Sequence, residues 1–368
     1  MKFLGIDLHS NRFTCCFLFE DGSKKKLTFD INSYQLNEFY KLLDLNTCVM
    51  VEASSNTFKF AELIEDKVNK VYIANPHKLK LISMVKKKTD KIDSEKLAIF
   101  LKMQITSGED LIKPVYHPEQ EIQDLRSLFG TYDLLRKQIV MLKNRIHSIL
   151  KQNLYPFTKK QIFSKTSILN IKKLNMNEVP KFQINFLFDE LEHSEKSINK
   201  IEEKIKLKGV KYYNEIDILT SMRGISIFTA LAIISDIAII TRFPNSKHFT
   251  SYLRSAPSVD STNETVRITK TNKFGRKRSV RLIIQSIIHF RETNPRTKEW
   301  YTKNLNHKSK GKIRMAIGRR ILTEIFQMLK KKEYHYWRDI KNHKFKMNQY
   351  RNFLKKNGIL IAEIQKVA

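Results

Sequence analysis

The spacing of apolar residues after position 122 leaves this chain few ways to fold. Leu128, Tyr132, Leu135, Ile139, Leu142, Ile146 and Ile149 follow one another at intervals of 4-3-4-3-4-3. An apolar residue every 3.5 positions draws a single stripe along an α-helix, and so narrow a stripe is buried only against another helix. Leu187, Leu191, Ser194, Ile198, Ile201 and Ile205 repeat the spacing as 4-3-4-3-4, with charged residues between them. The stretch LYPFTKK separates the two runs. They therefore predict either an antiparallel helical hairpin or a coiled coil that dimerises.

Before that region the period is that of strands. KFLGIDLHS, RFTCCFLFE and KKLTFDIN read as three strands in quick succession, with a DG turn between the second and third. An amphipathic helix near 35–45, a buried strand CVMVEA, a helix near 57–66, a strand KVYIAN and helices over about 77–104 follow. That is an α/β layout with a mixed sheet. From 211 onward the chain reads as mostly helical. Its opening, LTSMRGISIFTALAII, fits the helix-hairpin-helix pattern except that Ser226 stands where the second glycine belongs. Such a hairpin offers backbone N–H groups to a phosphate; an ordinary tight turn is the plainer alternative.

Charge narrows the partner. Lys and Arg number 68 against 37 Asp and Glu in 368 residues, a net charge of +31. This excess is spread along the whole length, as in a protein that binds a polyanion, and nucleic acid is the expected partner. No apolar run approaches the roughly 18 residues of a spanning helix. The opening MKFLGIDLHSN lacks a signal-peptide core, so the chain reads as cytoplasmic. Cys15, Cys16 and Cys48 sit in apolar strand-like runs without metal-ligand spacing and read as buried thiols.

Four acids stand out against this basic background. Asp7 ends the first strand, and an aspartate there hangs over the carboxyl edge of the sheet, where ligands of open α/β sheets collect. Glu52 follows four apolar residues on the fourth strand, where a charge needs a cation. In VKKKTDKIDSEKLAIFL, Asp90 and Asp93 fall three positions apart and share a face of a helix's first turn. Singly, each acid has an ordinary explanation as a turn former or a partner of the helix dipole. Jointly they describe a two-metal site for phosphodiester chemistry.

The stretches GIDLHSN, VMVEASS, VYIANPHKLK and KTDKIDSEKLAIFL resemble the DEDD transposases of the insertion-sequence group that joins a RuvC-like N-terminal domain to a serine-bearing C-terminal domain. Pilin-gene invertases are relatives of that group. The similarity continues through the helical middle into the region from MRGISIFTALAII to GRKRSVRLI, so it covers nearly the whole chain. It implies an RNase H-like domain over 1–115, a helical coiled-coil region over 116–210 and a helical C-terminal transposase domain over 211–368. It also implies that Asp7, Glu52, Asp90 and Asp93 form a Mg²⁺-binding tetrad, and that a homo-oligomer, dimer or tetramer, brings two DNA sites together. A structured guide RNA encoded beside the gene belongs to the same set of expectations.

In the family, a serine in a P-x-x-x-x-S-G context attacks DNA and forms a covalent phosphoserine intermediate. Here the stretch reads PSVDSTNET, so the serine position falls on Thr262 and the glycine on Asn263, with Ser261 just before. Ser261 is favoured, because a primary hydroxyl is less hindered and a one-residue shift in a loop costs little; Thr262 is the strict positional match. Ser258 is a poorer third. Downstream, Arg267, Lys270, Lys273, Arg276, Lys277, Arg278, Arg281 and Arg291 occur without an acid among them, a density suited to holding phosphates rather than merely a solvated basic helix. The segment near the C-terminus interleaves basic residues with Tyr334, Tyr336, Trp337 and Phe345. These aromatics suit either stacking on unpaired bases or packing of a terminal helix.

Three other functions compete. A RuvC-like resolvase using water would leave the region from the 250s to the 290s without a chemical task. An actin-like ATPase or sugar kinase needs Gly-rich phosphate motifs that the ten glycines do not form. A non-enzymatic DNA-binding protein would leave the four acids unexplained.

Overall fold

The computed structural model describes residues 1–76, 79, 89–109, 114–262, 265–271 and 275–359, and at 258–262 and 265–271 it describes the backbone alone. The chain divides into two compact units, Met1–Pro118 and Glu119–Ala368.

The first unit is a five-stranded mixed sheet with helices on both faces. In chain order it contains β1 (Lys2–Leu8), β2 (Arg12–Phe19), β3 (Lys24–Asp30), α1 (Ser33–Tyr40), β4 (Thr47–Glu52), α2 (Thr57–Ile64), β5 (Lys70–Ala74) and α3 (Asp90–Ser107). The spatial order is β3-β2-β1-β4-β5. The first three strands form an antiparallel meander, while β1, β4 and β5 run parallel. Strand alternation then sorts the side chains. Leu4, Ile6 and Leu8 of β1 and Val49 and Val51 of β4 join Phe39, Phe60 and Ile64 in a core beneath α1 and α2. Phe3, Cys48 and Met50 join Leu97, Ala98 and Leu101 of α3 on the other face. Asp7 and Glu52 continue that second series, two positions past Gly5 and Met50. The three cysteines are buried and unbridged.

Gly5 fixes how near α3 can come. A Cβ at this position would overlap the Ser94 carbonyl and the Ala98 nitrogen. Only a glycine in mid-strand lets the helix backbone settle this closely on the sheet.

The second unit is helical apart from one strand pair. Its first part is α4 (Gln120–Gln152), two short helices α5 (Lys159–Ile162) and α6 (Lys165–Lys172), and α7 (Glu178–Lys208). Of the two arrangements the heptad spacing allows, the seam is filled within the chain. Ile139, Ile146 and Ile149 of α4 pack with Ile184, Phe188, Leu191 and Ile198 of α7 in one apolar cluster. At the base of this hairpin Ile122, Leu125, Phe129 and Ile205 enter a second core shared with the helices that follow.

Those helices are α8 (Tyr213–Thr220), α9 (Ile227–Ile237), α10 (Ser246–Tyr252), α11 (Arg278–Thr293), α12 (Pro295–Asn304), α13 (Lys310–Lys331) and α14 (Ile340–Lys356). The α8–α9 turn passes through Gly224, whose φ of +91° only glycine adopts readily. Ser226 then caps α9 by accepting a hydrogen bond from the Thr229 N–H. This explains why a serine serves where the hairpin pattern has glycine.

Between α10 and α11 the structure corrects the expectation of a loop. Pro257–Thr262 and Thr265–Thr271 are strands β6 and β7, paired antiparallel with Ser261 opposite Val266 and Thr262 opposite Thr265. The β-branched residues of TVRITKT account for the pairing. Among the described residues, no helix is long and apolar enough to cross a membrane.

Candidate active site

Of the four acids of the first unit, Asp7 and Asp90 share one cluster of ligand atoms and Asp93 is near enough to act on the Asp7 carboxyl, while Glu52 ends the strand beside that of Asp7. The parallel β1–β4 register pairs Ile6 with Val51, so the next step sets Asp7 beside Glu52. Above them, Asp90 and Asp93 open α3 after the N-cap Thr89. Leu97, Ala98 and Leu101, on the same helical face as Asp93, are buried against the sheet. The packing of α3 on Gly5 therefore sets the height of the helical acids over the strand acids.

His9, which the sequence analysis did not single out, completes the cluster. Its Nε2 lies 3.5 Å from Asp7 Oδ2 and 3.4 Å from Asp90 Oδ2. Ligand atoms of Asp7, His9 and Asp90 all lie within 4.8 Å of one another. The turn carrying His9 is pinned at two points: its N–H donates to the Arg12 carbonyl at 3.0 Å, and Asn56 Nδ2 donates to the His9 carbonyl at 2.9 Å. Position i+2 from a strand-end aspartate was the available signal, since residues two apart share a strand face.

Electrostatics set the demand of the site. Burial raises the Asp7 carboxyl above its ordinary value; His9 opposes this, and the negative charges of Asp90 and Asp93 push it further up. Asp93 has a partial partner in Lys96, whose Nζ is 3.2 Å from Asp93 Oδ1. Thr57 Oγ1 donates to the Glu52 carbonyl at 2.8 Å and ties the end of β4 to the start of α2. Several carboxylates converging in a part-buried layer favour a bound cation. Carboxylate oxygens are the donors that hard divalent ions prefer, so the residues present fit such an ion.

In the second unit, the residues around the β6–β7 pair form a different environment. Ser261 and Thr262 are successive positions at the end of β6, and Arg267 and Lys270 lie in β7. Lys273 and Asn263 lie outside the described residues. Past β7, the chain is fastened down. Gly275, at φ +102°, packs on the Tyr252 carbonyl, to which the Arg276 N–H donates at 2.9 Å. Asp236, only 1% exposed, accepts from the Ser279 N–H at 3.0 Å and from Ser279 Oγ at 2.7 Å.

The cations of the basic segment divide into two kinds. Arg278 Nε donates to Asp133 Oδ2 at 3.0 Å and its guanidinium covers the Phe129 ring, while Arg281 Nη2 donates to Asp133 Oδ1 at 2.6 Å. Both are tied to α4. Lys277 is exposed, and Arg276 approaches the buried Asp236 at 3.8 Å. Arg126 and Arg242, which the sequence analysis passed over, join Arg276 around Tyr252. Burial would raise the Tyr252 hydroxyl, but these three guanidinium groups outweigh it and hold it below its ordinary value. Burial likewise pushes Arg126 down to about 10, with Arg276 and Arg242 adding to the effect. The root of the strand pair thus gathers three guanidinium groups around Tyr252.

Two family models match the chain. Residues 4–155 match the DEDD transposases of the IS110 type, a span that holds all four acids. Residues 216–302 match the model described as the transposase IS116/IS110/IS902 family, a span that holds the strand pair and its basic surroundings. No curated protein matches the chain significantly.

Proposed function

Since the chain belongs to the IS116/IS110/IS902 family of DEDD transposases and is a DNA transposase, we propose that it cuts and rejoins DNA by pairing an RNase H-like acidic centre with a hydroxyl nucleophile. One observation carries the acidic half: Asp7 and Glu52 lie at the carboxyl ends of adjacent parallel strands, and ligand atoms of Asp7 and of Asp90 in the first turn of α3 fall in one cluster. These four residues hold Mg²⁺. Bound there, the metal supplies charge stabilisation to the attacking and leaving oxygens of a phosphodiester.

The hydroxyl of Ser261, with Thr262 as the alternative, attacks a backbone phosphorus. An Oγ–P bond forms, one P–O bond to the adjoining sugar breaks, and that strand end leaves as a free hydroxyl. The phosphodiester's energy is kept in the protein–DNA ester, which a strand hydroxyl then reverses to join new ends. Arg267, Lys270, Lys273, Arg276 and Lys277 neutralise the flanking phosphates. The working assembly is a homo-oligomer on two DNA sites, and a structured RNA encoded with the element selects them. The acidic centre falls to an RNase H-like domain over 1–115 and the nucleophile to a C-terminal domain over 211–368, with the helical region 116–210 between them in sequence.

The test is to replace Asp7, Glu52, Asp90 and Asp93 singly by their amides. Strand cleavage should be lost while DNA binding persists, because removing negative charge does not weaken phosphate contacts made elsewhere. Full cleavage by the Asp90→Asn, Asp93→Asn double variant would refute the acidic centre.

A further inference from the structure

We propose that His9 Nε2 is a ligand, together with Asp7 and Asp90, of one cation position in the acidic layer, and that this position therefore favours Mn²⁺ relative to Mg²⁺. The spacing carries the assignment. Nε2 is 3.5 Å from Asp7 Oδ2 and 3.4 Å from Asp90 Oδ2. A charge-assisted N–H···O bond is usually shorter, about 2.7–2.9 Å. Nε2 stands farther than that from both oxygens and nearly equidistant from them. Ligands bound about 2.1 Å from one ion stand roughly 3 Å apart when adjacent and roughly 4 Å apart when opposite. All three donor atoms lie within 4.8 Å of one another, so small side-chain rotations complete the set.

The backbone supports this. His9 is fixed through both its N–H and its carbonyl, to Arg12 and Asn56, while its side chain is 49% exposed and able to turn. The chemical consequence follows from the donor. Mg²⁺ favours oxygen ligands and near-ideal octahedral geometry, whereas imidazole suits first-row transition ions. A nitrogen ligand in an otherwise carboxylate site thus raises affinity for Mn²⁺ more than for Mg²⁺.

The assignment presupposes that the acids bind metal, and the experiment separates the two questions. Full-length protein is loaded with Mn²⁺ and examined by electron paramagnetic resonance, with electron spin-echo modulation to detect ¹⁴N bound to the ion. The signal is assigned to this site by its loss in Asp7→Asn. Wild-type protein should show nitrogen coupling. His9→Ala should lose the coupling and weaken Mn²⁺ binding by more than the roughly 10–100-fold that removal of a mere outer-sphere partner costs. His9→Gln, which offers oxygen, should retain Mn²⁺ without coupling and narrow the Mn²⁺ over Mg²⁺ preference. If Mn²⁺ binds at the Asp7-dependent site without nitrogen coupling, or if coupling survives in His9→Ala, His9 is not a ligand and the acidic centre still stands. If no Asp7-dependent Mn²⁺ binds at all, the acidic centre falls and His9 with it.

Discussion

Replacing Gly5 by alanine adds one methyl group, yet it tests whether the close approach of α3 to β1 holds the acids in register. Two effects compete. Where the backbone accepts it, Gly→Ala stabilises a protein by about 0.4–1 kcal/mol by restricting the unfolded chain, and Gly5 is not among the glycines with positive φ. Against this, the new Cβ would overlap the Ser94 carbonyl and the Ala98 nitrogen and stand 2.9 Å from Leu97 Cβ. Ordinary carbon contacts are about 3.5–4.0 Å, so α3 has to withdraw by more than about 1 Å. The obstacles are mostly backbone and cannot rotate aside. Overpacking of this kind costs about 1–3 kcal/mol, so set against the gain it leaves a net loss of up to about 2.6 kcal/mol. Stability of about 5–15 kcal/mol survives that loss. Catalysis survives less well, because Asp90 is one helical turn from Ser94, and a 1 Å misplacement of reacting groups costs about 100-fold. The assay is a urea unfolding midpoint on the first unit's transition, together with strand cleavage at saturating DNA. Unchanged stability with full cleavage would refute the claim that this contact positions the site.

The covalent step predicts DNA attached to protein in denatured reactions, an adduct that Ser261→Ala removes; an adduct lost in Thr262→Ala but kept in Ser261→Ala would assign the nucleophile to Thr262, and protein-free products throughout would favour attack by water. Replacing Arg276 and Lys277 should flatten the dependence of log affinity on log salt by about 0.9 for each duplex phosphate that is no longer neutralised. Arg278→Ala should act differently and lower stability by about 1.5–3 kcal/mol in urea melts, because its partner Asp133 is deprived of charged hydrogen bonds in a part-buried site. Asp217 accepts from Tyr334 Oη at 2.6 Å and lies 2.9 Å from His343 Nε2. Burial would raise its carboxyl, but these hydrogen bonds hold it below the ordinary 3.8. The stability it contributes is therefore present above that value and lost as pH falls through the depressed one. The difference in urea midpoint between wild type and Asp217→Asn should accordingly shrink as the buffer is acidified.

What the sequence disclosed depended on whether one element sufficed to read it. The strands of the first unit, the two heptad runs and the i, i+3 pair Asp90 and Asp93 each carry their own period, and each stands where that period predicts. The strand pair at 257–271 was obscured by its lysines and arginines, which drew attention to charge and away from the alternation of TVRITKT. His9 and Asp90 are 81 positions apart, and Arg278 and Asp133 are 145 apart. No local pattern announces such pairs, since they depend on where whole elements come to rest.

One residue shows that tertiary placement can still leave a local trace. A glycine inside a strand costs about 0.5–1 kcal/mol relative to alanine, and it contributes no side chain to the face on which Phe3 packs with Leu97 and Ala98. Its presence two positions before Asp7 signals that something must approach the backbone there more closely than a methyl group allows. In the folded chain that something is α3, at Ser94 and Ala98. With Asp7 two residues later, Asp90 one turn before Ser94 and Asp93 immediately before it, Gly5 ties the helix to the strand at the level the acids require. The closeness of Asp7 and Asp90 therefore follows from a packing contact one turn away, and the site should be weakened through Gly5 as well as abolished through Asp7.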